Sequence, residues 1–534
     1  MKRLIEVEEA KKLLAAINIS AEKREVFVLD AVNKFSAENV FAPVDLPPFD
    51  RSTRDGYAVL SEDVVSASET NPVKLKIVGT IEAGEFKSVR ISSGECVKIA
   101  TGAVIPEKSD AVVMVENCEE HGGYVFVKKA VAPRENVMLK GSDVAEGELV
   151  VREGERLTPE KIGLLSGLGL RKVKIYDLRI AVFSTGNEIA LPGERLDRGK
   201  IYDVNGFAIV SSLRNLGFSA EFLGILKDDV KEMRRRLLEA SKKYGVVVTS
   251  GATSAGEKDL LIEAVKEIGE IVFHGVRIKP GKPFLVAKIS DSILFGLPGF
   301  PVSALTILHE FVKPVLLKSV KAREKTQIVE GIVAKRIYSE GRRELLPVVV
   351  AGGRIFPLEK GSGAITSLTN ASGYLEIAEN EEVIERGEKR EVKVFSKTYD
   401  FVVAGVDLLK LLDLNAFYFT SDQKLAKVEF ALGNVDAVLT LGENYEVDVI
   451  FAGKDGKIGS VKGYELKAEV EFKDHFQLYH ALKNGKIDGA LLLKPFAEKL
   501  GVEGEKVGSV RLDVISRNDE LEKEILRLLS FQKD

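Results

Sequence analysis

The sequence has little of the chemistry that builds disulfide or histidine sites. Its 534 residues include only two cysteines, Cys96 and Cys118, together with five histidines and no tryptophan. The two cysteines lie far apart without a paired spacing, so the sequence supports neither a disulfide framework nor a zinc site. The histidines are scattered as well, which argues against a histidine-based metal centre.

Long apolar runs and a strong net charge are also missing. No stretch of about 18 apolar residues occurs, so the sequence predicts no membrane-spanning helix. The formal net charge is −4, which gives no electrostatic case for binding nucleic acid. Residues 1–10 are charged throughout and lack an apolar signal core. We therefore predict a cytoplasmic protein with neither a membrane nor a nucleic-acid partner.

The chain does have length and a balanced composition. With 45% hydrophobic and 30% charged residues it is typical of soluble globular proteins, and its length suffices for three or four domains. Residues 5–38 have helical spacing, whereas residues 56–140 carry short β-branched runs broken by turns. The predicted domains are an elongated mixed domain (1–45 and 141–176), an inserted antiparallel β domain (46–140), an α/β domain (177–324), a β-barrel-like domain (325–396) and a C-terminal α/β domain (398–534).

Strand and helix patterns alternate along residues 178–318, which predicts a mainly parallel sheet covered on both faces. In such a sheet the loops that follow the strands gather at one edge, where backbone N–H groups and lysines bind anions. The predicted strands are 179–184, 220–225, 245–250, 271–278 and 293–297, and the predicted helices are 205–216, 229–243, 259–268 and 302–318.

Polar residues and glycines follow these strands. Thr185 and Glu188 surround Gly186, a pattern that is also ordinary turn chemistry. The loop 250–259 has the glycines and hydroxyls that cradle phosphate. Two lysines flank a Pro-Gly turn within residues 278–283, and we interpret this basic turn as a contact for an oxyanion or a phosphate rather than as a solvated surface.

Several carboxylates stand beside these loops and offer the hard oxygen ligands that Mg²⁺ prefers. They are Asp55, Glu188, Asp228, Asp229 and Asp259. The last three also stand directly before predicted helices, so helix capping is an alternative interpretation for each of them.

Six motifs, taken in order, resemble one known family. They occupy residues 46–58, 99–103, 184–188, 250–259, 278–283 and 297–303. In this order and spacing they are similar to the motif set of molybdopterin molybdenumtransferase, the MoeA family that includes the gephyrin E domain. The resemblance covers residues 1–396 and implies a dimer of elongated four-domain subunits. It also implies that the α/β domain is of the MogA/MoaB-like type and that β domains flank it.

The resemblance implies an activity as well. Family members insert molybdate, or tungstate, into the dithiolene of adenylylated molybdopterin, with Mg²⁺-dependent release of AMP. The implied catalytic residues are Asp55, Thr101, Glu188, Asp228 and Asp259, of which Glu188, Asp228 and Asp259 are placed near the metal. The implied cofactor-binding residues are Thr185, Gly186, Ser250, Gly251, Ser254, Gly256, Lys279, Lys282, Pro298, Pro301 and Ser303.

The implied partners are a pterin, an oxoanion and a second copy of the chain. Asp55 and Thr101 lie in the inserted β domain, which the family contributes from the other subunit, so the resemblance implies an active site shared within a homodimer. Contact with other enzymes of the molybdenum cofactor is a further implied partnership. Two departures stand out: Asn187 replaces an aspartate found in many members, and Phe300 replaces an asparagine.

The C-terminal residues from 398 onward resemble a periplasmic-binding-protein-like domain that some members append. A ligand site for an anion or pterin precursor and a structural or docking role are both open for it. For the protein as a whole, the alternatives to the transferase are a molybdopterin-binding carrier or scaffold and an adenylyltransferase. The many charged residues assigned to the cleft favour the transferase over a scaffold.

Overall fold

The computed structural model describes residues 4–251, 260–323, 326–358 and 361–405, and parts of the segment 416–525. The mixed domain begins with the helix Val7–Ala16 and includes the helix Pro159–Gly167. Its strands form a three-stranded sheet and a separate pair. The sheet consists of Glu22–Phe27, Lys172–Asp177 and Phe35–Ser36, and the pair consists of Val40–Phe41 and Leu149–Val151.

The helical spacing of residues 5–38 therefore predicted a helix correctly only for the first part of this segment. Glu22–Phe27 is instead a strand that pairs antiparallel with Lys172–Asp177. The partner strand lies about 150 positions away in the chain. A local periodicity cannot register such a distant partner, and the tertiary pairing decides the conformation.

The inserted β domain contains a six-stranded sheet. The prediction of an antiparallel sheet is wrong for one pair, because Val73–Ile81 and Glu95–Ile99 run parallel. The connection between them, residues 82–94, is long enough for the crossover that parallel strands need. In spatial order the strands are Ala111–Met114, Gly56–Val59, Glu95–Ile99, Val73–Ile81, Tyr124–Val127 and Cys118–His121.

The α/β domain is built on a six-stranded sheet. Its strands are β1 (Arg179–Thr185), β2 (Ser219–Leu226), β3 (Val246–Ser250), β4 (Glu270–His274), β5 (Leu285–Ile289) and β6 (Ser292–Leu297). Their spatial order is β2-β1-β3-β6-β5-β4. The neighbours β2, β1, β3 and β6 are parallel, whereas β5 is antiparallel to both β6 and β4.

Helices cover both faces of this sheet. They are α1 (Asn205–Asn215), α2 (Val230–Ser241), α3 (Leu260–Ile268), α4 (Pro301–Ile307) and α5 (Lys313–Ser319), with the π-helical turn Leu308–Val312 between the last two. Alternate residues of β1 point to opposite faces: Ile180 and Val182 enter one apolar core, and Ala181 and Phe183 enter the other. The predicted mainly parallel, two-faced sheet is present, with one antiparallel strand that the sequence did not indicate.

The next domain contains a closed five-stranded barrel and the short helix Thr366–Asn370. Beyond it, the described residues form a seven-stranded mixed sheet and the helix His475–Lys483. The barrel strands are Gln327–Val333, Arg354–Pro357, Glu344–Ala351, Gly373–Ile377 and Lys389–Val394. The C-terminal strands are Phe401–Gly405, Ala416–Tyr418, Ala437–Gly453, Ile458–Val461, Val470–Phe472, Gly489–Leu493 and Glu505–Ser516.

Across the described parts of the chain, no helix combines the length and the apolar character needed to cross a membrane.

Candidate active site

Three parallel strands of the α/β sheet bring the candidate residues to one edge. In the strand register, Ser184 of β1 lies beside Ser250 of β3, and Ser250 lies beside Leu297 of β6. Because the strands are parallel, the residues that follow them leave the sheet on the same side. Thr185, Ser250 and Pro298 are thereby neighbours, as the sequence predicted.

Buried hydroxyl groups tie these strand ends together. The Oγ1 atom of Thr185 donates to the carbonyl of Ser250 at 3.1 Å, and Ser250 Oγ donates to the carbonyl of Pro298 at 3.1 Å. The Gly251 N–H donates to the carbonyl of Leu297 at 3.2 Å. Thr185 and Ser250 are each only 2% exposed. These buried hydrogen bonds join the three strand ends into one layer, which we call the strand-end floor.

Two glycines make this floor possible. Gly251 has φ +98°, and a Cβ atom there would lie 2.5 Å from both the carbonyl oxygen and Oγ1 of Thr185. Gly186 has φ +132°, and a Cβ atom there would meet the Glu188 carboxylate at 2.5 Å. Both positions favour glycine because their φ angles are positive, and at Gly251 a side chain would also collide with the backbone of the neighbouring strand end. At Gly186 the collision is with the end of the exposed Glu188 side chain, which can move away.

Two polar residues at this edge were not among the predicted site residues. Asn205 Nδ2 donates to Ser250 Oγ at 2.8 Å and to the carbonyl of Gly299 at 2.7 Å. Its Oδ1 atom is buried and has no hydrogen-bond partner among the described residues. Asp203 is 6% exposed and accepts from Ser184 Oγ at 2.6 Å and from the Gly206 N–H at 2.9 Å. The sequence signal was the aspartate three residues before a helical glycine, a helix-capping pattern.

Glu188 and Asp228 are exposed carboxylates on two adjacent loops. The Asn187 N–H donates to Asp228 Oδ2 at 3.4 Å, and the Asp228 N–H donates to Asn187 Oδ1 at 3.3 Å. The ammonium group of Lys200 donates to the Asn187 carbonyl. Asn187 thus links the loops that follow β1 and β2 through two hydrogen bonds.

Asp229 caps the helix that follows it. Its Oδ1 accepts from the Glu232 N–H at 2.8 Å at the start of α2. Asp259, Ser254 and Gly256 lie outside the residues that the structure describes. Within the described residues there is no group of three His, Cys, Asp or Glu side chains arranged to hold a metal ion.

The basic turn lies between β4 and β5, against α4. A Cβ atom at Gly281 would collide with Ile307 of that helix. Lys279 Nζ is paired with Glu344 at 3.3 Å and Glu340 at 3.5 Å, both from the barrel domain. Lys282 is exposed, and no described carboxylate lies within ion-pair distance of its Nζ. Among the described residues, Lys282 is therefore the cation of the turn that has no ion pair, whereas Lys279 connects the turn to the barrel.

The loop after β6 is in contact with the barrel domain as well. Pro301 is the first residue of α4, and the Val302 N–H donates to the carbonyl of Ser362 at 3.1 Å. Ser303 is 5% exposed, on the first turn of the same helix. The barrel loop at Ser362 is thereby in contact with the helix that follows the strand-end floor.

Asp55 and Thr101 are hydrogen-bonded neighbours in the inserted β domain. The Thr101 N–H donates to Asp55 Oδ1 at 2.7 Å, and the Asp55 carbonyl accepts from the Val115 N–H at 3.0 Å. The hydrogen bond from the Thr101 backbone, with help from its hydroxyl, lowers the pKa of Asp55. Among the described residues of one chain, no hydrogen bond or ion pair joins these two residues to the strand-end loops.

Comparison with known proteins decides the family. Residues 5–169 match the MoeA N-terminal region (domain I and II), residues 181–318 a probable molybdopterin binding domain, and residues 330–395 the MoeA C-terminal region (domain IV). A putative molybdopterin biosynthesis protein of Methanocaldococcus jannaschii is 35% identical over 387 residues, which cover 71% of this chain and 93% of the relative. The chain belongs to the MoeA family of molybdenum cofactor biosynthesis.

Two further similarities support this membership. The molybdopterin molybdenumtransferase of Haemophilus influenzae is 34% identical over 58% of this chain and 75% of its own. The crystal structure of the molybdopterin biosynthesis MoeA protein from Pyrococcus horikoshii aligns with a TM-score of 0.64 and 38% identity, covering 74% of this chain and all of that chain. The prediction of a MoeA-type molybdenumtransferase is confirmed.

In this MoeA-family chain, the family matches end at residue 395, and the C-terminal residues are packed against the barrel. An apolar cluster joins Ala351 and Phe356 of the barrel to Val402 and Val438 of the C-terminal sheet. The assignment of that sheet to a periplasmic-binding-protein-like domain stays a prediction.

Proposed function

We propose that this chain inserts molybdate or tungstate into the dithiolene of adenylylated molybdopterin and releases AMP in a Mg²⁺-dependent reaction. The observation that supports it best is the convergence of Thr185, Ser250, Gly251 and Pro298 at one sheet edge. This edge lies within the region that matches a molybdopterin binding domain.

The strand-end loops would bind the pterin and the phosphates. The hydroxyl groups of Thr185 and Ser250 already donate to carbonyls within the strand-end floor, so their part would be to hold the loops in place. The backbone N–H groups of the loops would supply the donors, which bind anions well where the surrounding dielectric is low. Ser254 and Gly256 would extend this cradle. Lys282 has no carboxylate partner within the described residues and would contact the oxometalate, with Lys279 beside it.

The residues present suit a magnesium ion. Glu188 and Asp228 are exposed on neighbouring loops, and Asp259 is the third proposed ligand. Carboxylate oxygens are the ligands that Mg²⁺ prefers, and it commonly uses only one or two of them together with substrate phosphates. When bound, Mg²⁺ would neutralise charge on the phosphoanhydride of the substrate. The hydrogen bonds between Asn187 and Asp228 would hold the two loops in register.

The β-domain pair would complete the site from a second subunit. Asp55 is held by the Thr101 N–H in a fixed geometry, yet no contact links the pair to the strand ends of its own chain among the described residues. A shared site in a homodimer accounts for both facts. We further propose that the C-terminal residues form a periplasmic-binding-protein-like appendage with either a ligand or a docking role; the cytoplasmic location stays a prediction.

The proposed reaction is tested by incubating the full chain with adenylylated molybdopterin, Mg²⁺ and either molybdate or tungstate. We expect AMP release that depends on the oxometalate, together with metal-loaded cofactor. The preferred oxometalate is the one that gives the higher rate. Tight binding of the pterin without AMP release, in protein with the correct oligomeric state, would contradict the transferase and support the carrier.

The two exposed carboxylates can be tested against a neighbour. Glu188→Gln and Asp228→Asn should each lower AMP release by about tenfold and raise the Mg²⁺ concentration needed for half-maximal rate, because a neutral amide is a weaker magnesium ligand. Asp229→Asn is the matched control: asparagine also caps helices, so its rate and Mg²⁺ dependence should equal those of the wild type. Equal effects of all three changes would overturn the metal assignment.

The shared site is tested by mixing subunits. Asp55→Ala and Lys282→Ala should each inactivate the homodimer, since each removes one half of every site. Random pairing of the two variants makes half of the dimers mixed, and a mixed dimer has one intact site, so about a quarter of the wild-type activity should return. If each site lay within one chain, mixing would give no more activity than the parent variants.

A further inference from the structure

Phe300 is an exposed aromatic residue at the edge of the candidate active site. It lies between the end of β6 and the start of α4, and its side chain is 63% exposed. Single exposed apolar side chains are common on proteins and by themselves carry no function. Phe300 needs an explanation because of its position, shortly after Pro298 of the strand-end floor.

The backbone at Phe300 is fixed on both sides. Its carbonyl accepts from the Ala304 N–H at 2.9 Å, which anchors it to the first turn of α4. The preceding residue, Gly299, offers its carbonyl to Asn205 Nδ2 at 2.7 Å, and Asn205 in turn holds Ser250. The backbone that carries the ring is thus attached to the strand-end floor, and Phe300 does not stand on a loop without contacts.

One side of the ring borders the barrel domain. A Cβ atom added at Gly363 would lie 3.6 Å from Cδ1 of Phe300, an ordinary van der Waals distance. The adjacent Ser362 carbonyl accepts from the Val302 N–H, which keeps this barrel loop in place. The ring therefore lies at the interface between the α/β domain and the barrel, and more than half of its surface is exposed to solvent.

We propose that Phe300 is a stacking platform for a planar heterocycle of the substrate, and this proposal rests on the proposed function. The adenylylated substrate has two such ring systems, the pterin and the adenine, and both present a flat π face. An aromatic side chain stacks on such a face without needing a particular hydrogen-bonding pattern.

The absence of tryptophan from the chain provides a direct probe. In the variant Phe300→Trp the new indole is the only tryptophan, and its fluorescence should be quenched in a saturable way when a ring stacks on it. We would titrate it separately with AMP, which carries adenine, and with neopterin, which carries the pterin. The matched control is Phe41→Trp in the mixed domain, at a position that is 55% exposed, and its quenching should be small and linear.

The affinity for AMP or neopterin is a second measurement, made on protein without the introduced tryptophan. By calorimetry, Phe300→Ala and Phe300→Asn should bind the responsive probe about tenfold more weakly than the wild type, whereas Phe300→Tyr should retain the affinity. In the transferase assay, Phe300→Ala should raise KM and leave kcat nearly unchanged, because stacking is made equally in the ground and transition states.

The outcomes separate this proposal from the proposed function. If the wild type binds AMP or neopterin while Phe300→Ala binds equally well and Phe300→Trp responds no more than Phe41→Trp, the stacking role is wrong and the pterin site stands. If the wild type binds neither probe and releases no AMP from the adenylylated substrate, both proposals are overturned. Quenching by one probe alone identifies which ring lies on Phe300.

Discussion

Replacing Gly251 by alanine should abolish pterin binding in a chain that still folds. Gly251 adopts φ +98°, a conformation that costs an alanine about 1 to 3 kcal/mol. Its new Cβ would lie 2.5 Å from the carbonyl oxygen and Oγ1 of Thr185, and relieving that overlap adds a cost of about 1 to 3 kcal/mol. Because Thr185 belongs to β1 and Gly251 follows β3, relief requires the two strand ends to separate.

The separation would disturb the strand-end floor itself. The hydrogen bond from Thr185 to Ser250 crosses the gap that would widen. The bond from the Gly251 N–H to Leu297 lies on the other side of β3 and would be strained as Gly251 moves. A displacement of about 1 Å in a positioning residue costs roughly a hundredfold in activity. We therefore expect a loss of AMP release of at least that size, measured beside pterin binding by calorimetry.

Gly193→Ala is a control variant that distinguishes the effect of backbone strain from the effect of a steric collision. Gly193 also has a positive φ, +92°, but a Cβ atom there would meet no atom within 4 Å. This control should lose some stability through backbone strain and keep its activity. Equal activity of the Gly251→Ala and Gly193→Ala variants would mean that the strand-end floor is not part of the binding site.

The α/β domain was the part of the fold that the sequence predicted well, for a physical reason. Strands such as β3 and β6 are buried on both faces and therefore appear as continuous apolar runs between turns. The strand β5 (Leu285–Ile289) was not predicted, because the Pro-Gly turn before it led us to assign this segment to a loop. The strand also runs antiparallel to its neighbours, unlike the other strands of the predicted sheet. Similarly, the parallel pair in the inserted β domain depends on a connection whose path no local pattern records.

The candidate site was predictable where its residues follow strands. Thr185, Ser250 and Pro298 converge as expected because the register of parallel strands aligns their ends. Asn205 and Asp203 were not predicted, since their roles depend on the path of the chain between β1 and α1. The pairing of Lys279 with Glu344 was also beyond the sequence, because it joins residues from two domains.

One substitution, Asp436→Ala, should weaken the contact between the C-terminal sheet and the barrel. The guanidinium of Arg354, in the barrel, binds both carboxylate oxygens of Asp436, and the two side chains are only 16% and 20% exposed. Asp436 Oδ2 also accepts from the Val402 N–H at 2.7 Å. Breaking such a largely buried ion pair by removing one side chain costs about 3 to 5 kcal/mol.

Limited proteolysis and thermal unfolding would measure this release. Asp436→Ala should make the C-terminal residues sensitive to protease and should split or lower the unfolding transition, whereas Glu385→Ala, which breaks the exposed ion pair with Arg336 on the same barrel, should cost less than about 1 kcal/mol. Identical protease resistance of the two variants would show that the apolar cluster alone holds the sheet.

The same variant tests whether the C-terminal residues take part in the chemistry. A chain cut after Ser396 should keep its insertion activity if these residues are an appendage, but the cut would also uncover Val349, Ala351 and Phe356, which the C-terminal sheet now covers. Exposing that apolar surface invites aggregation, so loss of activity on truncation would have two explanations. Asp436→Ala loosens the contact and leaves the covering sheet in the chain. We therefore expect it to release AMP at the wild-type rate, and a fall in that rate in a soluble variant would place the C-terminal residues in the working enzyme.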